Sequence, residues 1–278
     1  MKLLNSFKIK STKVTPDSFN ELALELFQFQ AEENEVYKEY IHNLGISSRD
    51  VKNIKEIPFL PIDFFKNQLV KTGNWKEEEV FKSSGTEKSI KSNHYIEDSN
   101  FYLTNAKRIY ESYYKSLAQS NIFALLPSYQ EQGHSSLVKM VSYFIEQSDS
   151  SPFGGFYLNK IDVLLNDLIE ALKVGSNKVI LFGVGYALLD LVELAVTRSV
   201  KLDGLTIIET GGMKGRRKDM VKKEFYHILK KGLGNIQIVS EYGMTELLSQ
   251  AYSNNEVSYQ LPNQMQALIR QLIRHFVI

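Results

Sequence analysis

Short apolar runs that alternate with helical patterns constrain this chain more than any other feature. Ile122 to Leu126 is closed by Pro127, Val179 to Phe182 runs into Gly183, and Leu205 to Ile208 and Ile236 to Val239 follow. Val80-Phe81-Lys82 reads as a shorter strand before them. Helical spacing covers Asp98 or Ser99 to Leu117, Ser135 to Ile145, Asp162 to Leu172, Ala187 to Val196 and Lys214 to Lys231. Parallel neighbours need a crossover, and a helix supplies it, so the pattern predicts an α/β fold: mainly parallel sheets flanked by helices. Ligands of such sheets bind at the carboxyl ends of the strands. The loops after Phe81, Leu126, Phe182, Ile208 and Val239 are therefore the ones to inspect.

The first 75 residues read differently. Thr15-Pro16-Asp17 predicts a helix start, with a capping hydroxyl, a proline in the first turn and an acid beside it. Gly45 closes that helical region, and the prolines of Ile57-Pro58-Phe59-Leu60-Pro61-Ile62 impose an extended path. Neither an internal repeat nor a low-complexity linker stands out. The expected organisation is a single region over 1–278: a helical and extended lead-in over 1–75, an α/β core over 76–252 and a short segment over 253–278.

Composition narrows the function. Lys plus Arg total 33 against 32 for Asp plus Glu, which argues against bulk nucleic-acid binding. With 43% hydrophobic and 12% aromatic residues, the chain can bury a substantial core. It contains no cysteine, so disulfides, thiolate metal sites and a cysteine nucleophile are excluded within it. Met1 to Lys13 lacks the apolar stretch of a secretory signal, and the apolar run from Val179 to Leu194 is broken by Gly183, Gly185, Asp190 and Glu193. A cytoplasmic soluble protein with no membrane span is expected.

Three loops carry unusual residues. Ser83-Ser84-Gly85-Thr86-Glu87-Lys88-Ser89 offers hydroxyls, a permissive glycine and a lysine, the groups that hold a polyphosphate, although it lacks Walker spacing. Glu209-Thr210-Gly211-Gly212-Met213 lets a ligand approach the backbone closely. Ser240-Glu241-Tyr242-Gly243-Met244-Thr245-Glu246 supplies a flat ring, a bulk-free glycine, a hydroxyl and a hard oxygen ligand suited to magnesium. Alone, each loop is first a turn.

In that order, however, the Ser-Ser-Gly-Thr loop, the later Gly-Gly and the Tyr-Gly-x-Thr-Glu motif resemble the adenylate-forming superfamily. Pro58-Phe59-Leu60-Pro61-Ile62 with Phe64-Phe65-Lys66, Leu125-Leu126-Pro127-Ser128-Tyr129, Gly155-Phe156-Tyr157-Leu158 and Glu241 through Ser249 look like one branch. That branch is the acyl-protein synthetases known from bacterial luminescence, the LuxE family, and the resemblance runs from about residue 15 to about 252. It implies a fold like the N-terminal domain of adenylate-forming enzymes, with ATP and Mg2+ as cofactors. It places Ser83, Ser84, Gly85, Thr86 and Lys88 on the phosphate loop, and Gly211 and Gly212 along the adenine. Tyr242, followed by Gly243, packs on that base; Thr245 contacts phosphate and Glu246 helps hold magnesium.

The implied activity is ATP-dependent conversion of a carboxylic acid, expected to be fatty or otherwise apolar, to an acyl adenylate. A protein acceptor, or a reductase or transferase partner, would then take the acyl group. The alternatives are a degenerate module that binds nucleotide or acyl group without catalysis, and a coenzyme A ligase resembling phenylacetate-activating enzymes. His134 stands equally as a residue facing the carboxylate or acyl group and as an exposed helix-start histidine. Arg216 and Arg217 read more readily as a solvated helix face than as phosphate ligands, while Phe182 to Tyr186 suits an acyl wall or the core.

The sequence also departs from the family. Glu87 and Lys88 replace the usual Thr-Gly pair of the phosphate loop, and Ile90 its proline. The family's acyl-accepting cysteine is missing, which points to an acceptor on a partner. After Leu261-Pro262, the basic segment Gln264 to Ile278 shows no counterpart of the ribose-binding aspartate or of the mobile domain with its lysine.

Overall fold

The computed structural model describes residues 2–84, 90–114, 116–128, 133–148, 152–211, 220–254 and 258–270. The chain divides into two compact units. One comprises Met1–Pro61, Leu69–Asn74 and Leu261–Ile278; the other comprises Ile62–Gln68 and Trp75–Gln260. Residues 261–270 thus group with the N-terminal helices.

The first unit contains α1 (Lys2–Thr12), α2 (Phe19–Glu33) and α3 (Glu35–Asn43). Helix α2 begins at Phe19, later than Thr15-Pro16-Asp17 predicts, because Thr15 and Ser18 bond to each other. The Thr15 amide donates to Ser18 Oγ at 3.0 Å and the Ser18 amide to Thr15 Oγ1 at 3.3 Å, which makes a separate turn. Asn34 breaks the helical run and caps α3 by accepting from the Tyr37 amide at 3.0 Å. Phe27, Ala31, Tyr37, Ile41, Val51 and Ile57 form this unit's core. Arg270 donates to the carbonyls of Lys55 and Ile57 at 2.9 and 2.7 Å and lies over the Phe59 ring. That contact ties the late segment to the extended Pro58–Pro61 path.

The second unit is the α/β core expected from the alternating pattern. Its strands are β1 (Glu79–Lys82), β2 (Asn93–Ile96), β3 (Ser120–Leu125), β4 (Gly155–Phe156), β5 (Lys178–Gly183), β6 (Thr206–Glu209), β7 (Gln237–Tyr242), β8 (Ala251–Ser253) and β9 (Tyr259–Gln260). Its helices are α4 (Phe64–Asn67), α5 (Ser99–Tyr113), α6 (Ser136–Gln147), α7 (Ile161–Val174), α8 (Gly185–Thr197) and α9 (Lys222–Leu233). A seven-stranded sheet runs in the order β4-β3-β5-β6-β7-β8-β9, parallel through β7 and antiparallel beyond it. Strand β3 is buried along its whole length, as a parallel strand covered on both faces must be.

One strand lies outside the sheet that the alternation suggests. β1 pairs antiparallel with β2 as a separate two-stranded sheet, so the loop after Phe81 is a hairpin connection rather than a crossover. Asn93-His94-Tyr95-Ile96 lacks an apolar run, which hides β2 in the sequence. Phe81 anchors this hairpin in the core against Tyr102 of α5, with ring centroids 5.2 Å apart. Aromatic packing continues through Tyr110 of α5, Phe144 of α6 and Phe182 of β5. Helix α9 begins at Lys222 among the described residues, and the predicted start from Lys214 lies outside them. Among the described residues, no helix is long and apolar enough to cross a membrane.

Candidate active site

The parallel register aligns the strand ends. Leu125 pairs with Gly183, Gly183 with Glu209, and Glu209 with Ser240, so the chain leaves β3, β5, β6 and β7 at one level. A cavity of about 750 Å³ opens there, within the usual size of a small-molecule site. Val184, Thr210 and Gly211 line it from two of those loops, and Leu126 and Pro127 from a third. The hairpin adds Lys82, Ser83, Ser84 and Lys91.

Of the sequence-predicted site residues, Ser83, Ser84, His134, Gly211, Gly243 and Thr245 meet on this cavity. Gly85, Thr86, Lys88 and Gly212 lie outside the described residues, as do Glu87, Arg216 and Arg217. Tyr242 and Glu246 are not among the lining side chains. Tyr242 is exposed, packs edge-on against Tyr259 at 6.0 Å, and donates its hydroxyl to Met244 Sδ at 3.2 Å. Among the described residues no group of three or more metal-ligating side chains gathers, near Glu246 or elsewhere. Phe182 is core and Val184 lines the cavity, so the glycine-rich turn after β5 divides between the two roles.

Local bonding explains how these groups are held. The Ser83 amide donates to the Ser92 carbonyl at 3.1 Å and Ser83 Oγ accepts from the Ser92 amide at 2.9 Å, pinning the hairpin where it enters the phosphate-loop candidate. The Lys82 amide donates to the His134 carbonyl at 2.8 Å, which fixes the backbone of His134 beside the hairpin. Ser135 caps α6 through the Val138 amide. Gly211 has φ +130°, a conformation suited to glycine, and its amide donates to Glu209 Oε1 at 3.0 Å. The other Glu209 oxygen accepts from Ser240 Oγ at 2.7 Å, and Tyr226 in turn donates to that serine at 2.6 Å. Glu209 therefore locks the ends of β6 and β7 together beneath the cavity.

Residues that the motifs did not mark also contribute. His94 donates from Nδ1 to the Thr245 carbonyl at 2.9 Å and meets Phe65 edge-on at 5.8 Å. Burial lowers its pKa, although the Thr245 bond and the Glu246 charge pull the other way. Glu241 lines the cavity, and burial, followed by the nearby Glu209 charge, pushes its carboxyl up to about 8. A Cβ on Gly243 would collide with that carboxylate, a physical reason for glycine after Tyr242. Lys82, Lys91, Tyr102 and Gln250 also line the cavity, and the three-dimensional pairing of distant segments reveals them.

Fold and site together define an α/β unit with a small-molecule cavity at the carboxyl edge of a mainly parallel sheet. No model of a known protein family matches the chain, and no curated protein does.

Proposed function

We propose that this cavity activates a carboxylic acid with ATP, forming an acyl adenylate. The observation that carries the reading is the meeting of Ser83, Ser84, Gly211, Gly243 and Thr245, from three distant motifs, on one cavity at the strand ends. When bound, ATP supplies the α-phosphorus that becomes joined to the acid's carboxylate oxygen, with pyrophosphate as the leaving group. The chain's own task is to position two anions and offset their charge. Lys82 and Lys91 supply cations, Ser84 and Thr245 hydroxyls, and Gly211 a close backbone approach. These groups fit phosphate and a nucleotide. Among the described residues they do not form a protein cage for magnesium, and Glu246, just past the lining Thr245, is kept as the candidate metal-holding carboxylate. A metal carried by phosphates can make do with a single carboxylate, but no catalytic step is assigned to it.

Among the described residues no carboxylate cluster gathers, which favours a second reading, a module that binds nucleotide or acyl group without catalysis. Acid-dependent exchange of radiolabelled pyrophosphate into ATP separates the two. The first reading expects exchange; binding without exchange supports the second. Saturating MgATP should also stabilise the chain, by about 2.7 kcal/mol at a hundredfold excess over Kd. A melting temperature unchanged by MgATP and by the acid removes both readings.

The 278 residues contain no cysteine, so no thioester can form on them and transfer is expected to use an acceptor outside them. Radiolabelled acid with MgATP is expected to leave no hydroxylamine-sensitive label on this chain alone. Stoichiometric self-labelling points instead to an oxygen ester.

A further inference from the structure

Residues 243–250 join β7 to β8 outside any strand, yet Gly243, Met244, Thr245, Leu247 and Ser249 of this connection line the cavity. A connection without sheet bonds needs other partners to hold a fixed path. The Leu247 amide donates to the Met244 carbonyl at 3.0 Å, a local turn, and Asn105 Nδ2 of α5 donates to the Leu248 carbonyl at 2.8 Å. The Thr245 carbonyl is held from β2, by His94 Nδ1 at 2.9 Å. A carbonyl only accepts, so Nδ1 carries the proton in this bond. Phe65 of α4 meets the imidazole edge-on at 5.8 Å and braces the ring from another element.

His94 belongs to the hairpin that brings Lys82, Ser83, Ser84 and Lys91 to the cavity. In the β1–β2 register it lies opposite Phe81, one pair inward from Lys82 and Asn93. Phe81 is fully buried, and Ser83 and Ser92 bond to each other where the hairpin enters the cavity, so the strand that carries His94 is anchored on both sides of it. One side-chain bond across 151 positions therefore joins two sets of lining groups: hydroxyls and cations of the hairpin, and Thr245 of the later connection. Groups that must meet one polyphosphate need such a shared frame, because a misplacement of about 1 Å can cost roughly a hundredfold.

We propose that His94 is a positioning residue for phosphate: its bond to the Thr245 carbonyl sets the Thr245 hydroxyl at the right distance from the hairpin's own phosphate-binding groups. His94 is not among the residues that line the cavity, so it acts through Thr245 rather than on the ligand. This inference rests on reading the cavity as a nucleotide-phosphate site, and it holds whether the nucleotide is turned over or only bound.

Calorimetric titration of the whole chain with MgATP tests it. His94→Gln, whose amide reaches the place of Nε2 rather than that of Nδ1, should weaken binding by roughly tenfold, the worth of one hydrogen bond to a charged oxygen. His94→Asn sets an N–H near the place of Nδ1 and should recover most of the lost affinity. Thr245→Val deletes the hydroxyl and keeps the branched shape, and in that background His94→Gln should add less than about a twofold loss. A loss of full size in both backgrounds marks a general disturbance of the fold and overturns the inference, as does unchanged binding by His94→Gln or no recovery by His94→Asn. If His94→Gln fails to fold, Phe65→Leu frees the ring from its brace and should weaken binding only while Thr245 keeps its hydroxyl; equal weakening without the hydroxyl, or none with it, overturns the inference. A parent chain that does not bind MgATP removes the phosphate reading and this inference together. The expected pattern of affinities without pyrophosphate exchange upholds the positioning role and removes the adenylation reading alone.

Discussion

Phe144→Ala is expected to destabilise the α/β unit by roughly 3–5 kcal/mol, a large share of the 5–15 kcal/mol typical of a folded domain. Phe144 is fully buried on α6, with its ring 5.0 Å from Tyr110 of α5 and 6.1 Å from Phe182 of β5. It joins two helices to a central strand, so truncation removes apolar burial and leaves a hole whose walls belong to three elements. Those walls cannot collapse together without moving the sheet, which sets the cost near the upper end for an aromatic residue. Val163 on α7 is 48% exposed, and Val163→Ala should change stability by no more than about 0.5 kcal/mol. Denaturant titration is the measurement: a lower midpoint at unchanged slope for Phe144→Ala, and almost none for Val163→Ala. Equal, small losses in both would remove Phe144 from the core.

The sequence discloses those elements whose burial leaves a periodic trace. Val179 to Phe182 is apolar because both faces of a parallel strand are covered, and Ile238 and Val239 are buried in the same way although Gln237 before them is exposed, so β5 and β7 are legible in the sequence. Asn93-His94-Tyr95-Ile96 has no such trace, since β2 belongs to a two-stranded hairpin and only Ile96 is buried. Helix α1 leaves no such trace either, since Lys2 to Thr12 mixes lysines and apolar residues without a clean stripe. The site divides the same way. Gly211, Gly243 and Thr245 sit in local motifs with a readable rationale. His94 reaches Thr245 across 151 positions and Gln250 reaches Ala106 across 144, separations that no local spacing encodes. Glu241 stood inside a motif, yet its role depends on Glu209 and Tyr252, neighbours supplied by the sheet register.

Glu241→Gln is expected to flatten the pH dependence of stability above pH 5, without any ligand present. In the folded chain, burial and the Glu209 charge hold the Glu241 proton up to about 8, against an ordinary carboxyl value of 4.5. Between those values the folded state binds more protons than the unfolded state, so stability falls as pH rises. The contribution is fully present below 4.5 and is lost by the time pH has passed about 8. A separation of that size corresponds to on the order of 4–5 kcal/mol, which solvent around a partly exposed carboxyl reduces to roughly a few kcal/mol. Glutamine keeps the shape and carries no charge, so the variant should match the parent near pH 4.5 and exceed it at pH 8.5 by roughly 2 kcal/mol or more. His94 acts with the opposite sign: its lowered pKa makes stability rise with pH through the range in which the unfolded imidazole loses its proton. Both proteins share that contribution, so the difference between their unfolding free energies isolates Glu241. Parallel curves from pH 4.5 to 8.5 would mean that its carboxyl titrates as it does in water.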